Sequence, residues 1–163
     1  MFGNTFVPGG GGGGGGGDKH VCSLYNSANF IVPHNTFPTR IFFDNEFYDT
    51  DGYHDNAVNS DRITIPSGLG GWYFILGRIR FFSNAAGLRE VEIVKNGLLV
   101  TDIIVINTLP ANPAGYTTNT AVGLAYLNAG DWIAMLGFQN CGVGLNTQGT
   151  NLNYANGLMV FKM

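Results

Sequence analysis

Charge is scarce in this sequence. Charged side chains make up 12% of the 163 residues, about half the usual share. Lysine and glutamate, which normally cover exposed helical faces, occur only three times each. That scarcity argues against helices. No basic stripe exists and the net charge is −3, which excludes the electrostatic footprint of a nucleic-acid binder. Two cysteines, Cys22 and Cys141, are too few for a disulfide scaffold; they read either as one bridge or as two free thiols. No apolar run is long enough to span a bilayer, and Met1 to Pro8 has neither the basic region nor the apolar stretch of a secretory signal.

Neutral polar groups supply the surface instead, with 18 asparagines and 12 threonines. Glycine, at 25 copies, and phenylalanine, at 12, point to strands joined by tight turns. Apolar residues reach 45%, enough for a core of ordinary size.

Three parts are visible. Residues 1–8 carry Phe2, Phe6 and Val7, and read as an anchor peptide or a disordered terminus. Residues 9–17 are all glycine, which reads as a flexible linker or as an ordered multi-chain stalk. Extended at about 3.1 Å per residue, that tract reaches roughly 28 Å. Residues 18–163 form a head domain.

The head alternates in the manner of strands. Arg40 to Phe43 is a short apolar run, and Arg62-Ile63-Thr64-Ile65 ends at Pro66. From Trp72 to Phe82, one face carries Trp72, Phe74, Leu76, Arg78 and Arg80, and the other Tyr73, Ile75, Ile79 and Phe81. Both faces begin apolar, so this strand is expected to be covered on two sides, by the core and by a subunit contact at Trp72, Phe74 and Leu76. Arg89 to Lys95 turns Val91 and Ile93 inward and Glu90 and Glu92 outward. Asn96-Gly97 then predicts a hairpin, with Leu98 to Ile106 returning. Thr117 to Leu127 groups Val122, Leu124 and Tyr126 on one face. Trp132 to Phe138 and Leu158 to Met163 complete the set, and no helical period appears. The pattern predicts an all-β sandwich or jelly roll.

No zinc-protease, serine-hydrolase, phosphate-loop or paired-cysteine motif occurs, so no enzyme is expected. The polar segment from Asp44 to Asp55 is the densest cluster. Asp49, Asp51 and Asp55 are weak candidates for calcium, or else cap backbone amides in a turn. His54 lacks a neighbouring nucleophile. Tyr48, Tyr53, His54, Asn151 and Asn153 are candidates for stacking on and hydrogen-bonding to sugars, or are solvated loop residues.

Several runs come in a telling order: Arg62-Ile63-Thr64-Ile65-Pro66, Gly71-Trp72-Tyr73, Lys95-Asn96-Gly97, Leu127-Asn128-Ala129-Gly130-Asp131-Trp132 and Ala155-Asn156-Gly157-Leu158. Over residues 40–163 this order resembles the globular complement one-q and tumour-necrosis-factor jelly-roll superfamily. The closing run departs from the more usual Phe-x-Gly. Asp49-Thr50-Asp51-Gly52 followed by His54-Asp55 is similar to bacteriophage and bacterial members. The resemblance implies a ten-stranded jelly roll, a homotrimer with an aromatic-lined axis, and no catalysis. It leads to the expectation of a phage structural protein on the virion surface, decorating the capsid or forming a head fibre. In that reading the anchor peptide binds a capsid or tail protein. The alternative is a tail-fibre tip or adhesin that binds host or environmental glycans. No cofactor, nucleic acid or membrane is expected.

Overall fold

A computed structural model describes residues 19–152 and 155–163. The anchor candidates Phe2, Phe6 and Val7, the glycine tract and Asn153 lie outside the described residues.

Twelve strands form two antiparallel sheets. They are β1 (Val21–Tyr25), β2 (Phe30–Val32), β3 (Thr39–Arg40), β4 (Asn45–Asp49), β5 (Arg62–Thr64), β6 (Gly71–Phe81), β7 (Leu88–Lys95), β8 (Ile103–Pro110), β9 (Thr117–Leu127), β10 (Trp132–Gln139), β11 (Leu145–Thr147) and β12 (Gly157–Lys162). The jelly-roll sandwich expected from the alternation is the observed architecture. Its strand number exceeds the expected ten because short pieces such as β3 and β5 share one edge of β10.

β6 organises the larger sheet. One edge pairs with β9 along its whole length, from Gly71↔Leu127 to Phe81↔Thr117. The other edge pairs first with β12 and then, at Phe81, with β11. β1 and β4 extend the sheet beyond β12, and β2 lies beyond β11. Asn156 closes the gap where β6 changes partner: its Oδ1 accepts from the Arg80 amide at 3.0 Å and its Nδ2 donates to Thr147 Oγ1 at 2.6 Å. The smaller sheet runs β8–β7–β10, with β5 and β3 on the far edge.

Alternation places Tyr73, Ile75, Ile79 and Phe81 of β6 inside, against Val91 and Ile93 of β7 and Ile133 and Met135 of β10. Close approach of the sheets needs glycine at two points. A Cβ on Gly77 would meet Met135 Sδ at 3.0 Å, and one on Gly137 would meet Ile79 Cδ1 at 2.9 Å.

The Asn96-Gly97 turn differs from the tight hairpin expected. Asn96 does adopt positive φ (58°), but β8 begins only at Ile103, after a short 3₁₀ turn at Val100–Asp102. The Asp102 carboxylate accepts from the Leu99 amide at 2.8 Å and fills the space beside Gly97, which widens the loop. Leu98 and Ile103 then pack over Val94, Ala134 and Leu136 on the outer face of the smaller sheet. Cys22 and Cys141 are free thiols. Cys22 is buried, and burial raises its pKa.

Candidate functional site

Strand pairing fixes which side chains share the outer face of the larger sheet. Trp72 lies beside Tyr126, Phe74 between Leu124 and Phe161, and Leu76 between Val122 and Met159. The row continues through Ser23 of β1 to Tyr48 of β4. Trp72 and Tyr126 meet edge to face, with ring centroids 5.8 Å apart. No other part of the described chain covers the centre of this face. Trp72 is 56% exposed, Leu124 57%, Tyr126 52% and Val122 48%. Large aromatic and branched side chains side by side on one exposed sheet face mark an interaction surface, whereas scattered exposed residues do not.

The face is also sculpted. A hollow of about 200 Å³ opens over Gly157, between Leu76, Phe47, Met159 and Arg78. A wider groove of about 650 Å³ runs past Val21, Tyr48 and Phe161. Such relief suits knobs from another surface. At the far end of the face the polarity changes, with Arg78 opposite Thr120 and Arg80 opposite Thr118. The Arg80 guanidinium stacks on Tyr116 at 4.3 Å, and Arg78 Nε donates to the Ala155 carbonyl at 2.8 Å. Burial, together with the neighbouring Arg80, lowers the pKa of Arg78.

Of the three residues expected at a subunit contact, all lie on this face. Val122, Leu124 and Tyr126 belong to it as well, and their shared period was the signal for that. Phe161 and Met159 join through strand pairing, which the sequence alone does not reveal.

The carboxylates of the acidic segment are engaged by backbone amides and neighbouring side chains. Asp49 Oδ1 accepts from the amides of Gly52 and Tyr53, both at 2.9 Å, and its Oδ2 from the amide of His54 at 2.9 Å. Asp51 pairs with His20 Nδ1 at 3.0 Å. Hydrogen bonds first from Thr50 and then from His20 hold its pKa below the usual carboxylate range. Asp55 Oδ1 accepts from the amides of Ala57 and Val58, which likewise lowers its pKa. The three candidate calcium ligands thus face separate partners. No three acidic, histidine or cysteine side chains converge on one point among the described residues.

Tyr53 corrects the expectation of an exposed sugar platform, since it is only 1% exposed. Its carbonyl accepts from Thr64 N at 2.8 Å, which draws the turn onto β5. The ring then packs edge-on against Tyr73, and the two hydroxyls lie 3.2 Å apart. Burial, and then that hydroxyl pair, raises the Tyr53 pKa. His54 is held rather than presented, with Nδ1 2.8 Å from the Arg62 carbonyl. It lines a cleft of about 300 Å³ with Asp55, Val58 and Arg62. Tyr48 is exposed, but on the edge of the apolar face rather than in a recognition loop. Asn151 is exposed in the bend before β12.

No family model matches the chain. Over 113 residues it is 37% identical to an uncharacterized protein of Acanthamoeba polyphaga mimivirus, covering 61% of this chain and 47% of that protein. The chain therefore spans about half the length of that relative. Among solved structures, murine APRIL superposes with a TM-score of 0.63 at 13% identity, covering 90% of this chain and all of that one. Eiger TNF from S. frugiperda gives 0.60 at 10% identity, with 89% of this chain and 92% of that one covered. The globular domain of zebrafish complement 1qA protein gives 0.58 at 10% identity, with 88% and 94% covered. The fold is thus the jelly roll shared by tumour-necrosis-factor-like and complement-type heads. The matched relative is viral; a bacteriophage origin is a narrower statement than that.

Proposed function

We propose that this chain is a non-catalytic virion module that assembles as a homotrimer through the outer face of its larger sheet and projects its head from the particle. One observation carries the assembly reading: a contiguous apolar row in which Trp72, Val122, Leu124 and Tyr126 are about half exposed and Phe74 and Leu76 lie partly buried between them. Burying a Leu or Phe side chain contributes about 1.5–3 kcal/mol. The four half-exposed ones, with the remaining surface of Phe74 and Leu76, supply a substantial part of the roughly 8 kcal/mol that micromolar association requires. Likeness of fold to trimer-forming heads supports three copies, and similarity to a viral protein supports the particle. Residues 1–8 are the anchor in this proposal and residues 9–17 the spacer. Capsid decoration or a head fibre is the placement this reading adopts, with a tail-fibre tip as the alternative. Glycan recognition by the loops is the lesser reading, since Tyr53 is buried and Asn151 alone of its described loop candidates stands exposed away from the apolar face.

The test is particle incorporation. Virus produced with a chain lacking residues 1–17 is compared with virus carrying the full chain, by immunolabelling of purified particles. The proposal expects label on the surface of particles carrying the full chain, and none where the leader is deleted although the head still folds. Label on neither particle would overturn the virion reading, and equal label on both would overturn the anchor.

A further inference from the structure

The opposite side of the sandwich carries a second, unrelated feature. Glu90 and Glu92 both point outward from β7, two residues apart. They line a groove of about 400 Å³ whose other walls are Phe37, Ile103, Ile106 and Phe138. Phe37 and Phe138 meet edge to face at 6.3 Å. Glu92 is only 4% exposed, and its Oε2 is buried without a hydrogen-bond donor. Glu90 Oε2 accepts from Thr108 Oγ1 at 2.7 Å. Among the described residues, no cation answers the pair. Across β10, Arg40 of β3 is opposite Leu136, but its guanidinium is bound to Asp61 at 2.5 Å. The strands flanking Glu92 present Ile106 and Leu136, and those flanking Glu90 present Thr108 and Phe138, so no further charge faces the pair from either side.

A buried carboxyl oxygen without a donor is costly, and a carboxyl pair without a cation more so. An apolar groove that ends in two carboxyls matches a cation on an apolar stem, and a compact ammonium can be shared between both carboxyls, whereas the planar guanidinium fork is matched to a single carboxylate. A hydrated metal ion does not fit walls of phenylalanine and isoleucine, and two carboxylates fall short of its usual ligand number. A sugar needs several polar partners, and this groove offers few. Phe37 and Ile106 form an exposed rim, which a free amine would leave wet and a protein surface would cover.

We infer that the groove bounded by Glu90, Glu92, Phe37, Ile103, Ile106 and Phe138 receives a lysine side chain of a partner protein, its ammonium lodged between the two carboxylates. The surface lies on the sheet opposite the assembly face, so it stays open in the assembled head. The ammonium replaces the proton that the pair otherwise shares. Burial, and then the charge of Glu90, pushes the Glu92 pKa up to about 7, so uptake of the ammonium releases a proton at neutral pH.

The experiment titrates the full chain with Nα-acetyl-lysine methylamide and follows the methyl resonances of Ile103 and Ile106 by NMR. The expected result is a saturable shift that strengthens from pH 5.5 to pH 8. Nα-acetyl-norleucine methylamide, which lacks the ammonium, should bind at least roughly tenfold more weakly. Glu92→Gln and the more exposed Glu90→Gln should each weaken lysine-analogue binding by a similar factor while the protein still melts cooperatively. Equal binding of the norleucine analogue, or no shift with either compound, would overturn the proposal. Benzylamine binding much more tightly than the lysine analogue would overturn the protein-lysine assignment in favour of a free arylamine.

Discussion

Asp131 shows how much one residue can hold in a chain with so little charge. It sits in the turn between β9 and β10, where its Oδ2 accepts from the Asn128 amide at 2.7 Å and from Lys95 Nζ at 2.8 Å. Its Oδ1 accepts from Asn96 Nδ2 at 2.7 Å, which ties this turn to the one after β7. Partial burial opposes its ionisation, but these bonds outweigh burial and pull its pKa down to about 2. A folded-state pKa below the unfolded value stabilises the protein above about pH 4, and that stabilisation is lost as pH falls towards 2. Asp131→Ala should therefore cost about 1–3 kcal/mol at pH 7, read as a lower denaturant midpoint, and much less at pH 2. Glu92 has the opposite sign. Its folded pKa of about 7 lies above its ordinary value of 4.5, so the native state keeps a proton that the unfolded chain releases. Stability falls as pH rises from about 4.5 to about 7 and then levels off. Glu92→Gln should remove that slope, raising stability at pH 8 by at most about 3 kcal/mol and by little at pH 4.5. Parallel Tm-versus-pH curves for wild type and variant would count against the buried carboxyl pair. Neither behaviour was legible in the sequence. Glu92 reads there as an outward residue; it is buried on the outer face of the smaller sheet among Phe37, Ile103, Ile106 and Phe138, which come together from separate strands and loops.

Elements with strong alternation were legible almost to the residue. β6, β7, β9, β10 and β12 fall within one residue of the runs read from the sequence, because each carries several large apolar side chains on one parity. β1, β2, β4 and β11 were not legible. They are three to five residues long, and stretches such as Val21–Tyr25 and Asn45–Asp49 mix polar and apolar residues without a clean period. Their strand character comes from pairing with distant partners: β1 adds to β12, and β4 to β1. The same limit applied to Tyr53, whose burial depends on β5 receiving its turn. Sheet spacing supplies another test at this scale. Gly137 faces inward, where a methyl would press on Ile79. Gly137→Ala should cost about 1–3 kcal/mol by overpacking, measured by chemical denaturation with an unchanged m-value. A neutral result would mean that the sheets have slack where this packing shows none.

For the whole molecule, the two outer faces divide the work. The smaller sheet is capped over part of its outer face by its own loop, Leu98 to Ile103, whereas the larger sheet leaves a row of aromatic and branched side chains uncovered. A chain with a net charge of −3 has little self-repulsion to keep such faces apart. The sequence made this legible through Trp72, Phe74 and Leu76, where a strand carries apolar residues on both parities. It did not reveal how far the face extends, because β12 and β1 join it only through pairing. The most direct measurement is sedimentation velocity of the full 163-residue chain at micromolar concentration, alongside Leu124→Lys. A single trimer peak is expected for the wild type. The variant should sediment as a folded monomer, since Leu124 is 57% exposed and supports no core contact that a lysine stem cannot replace. A wild-type chain that sediments as a stable, folded monomer would contradict assembly through this face.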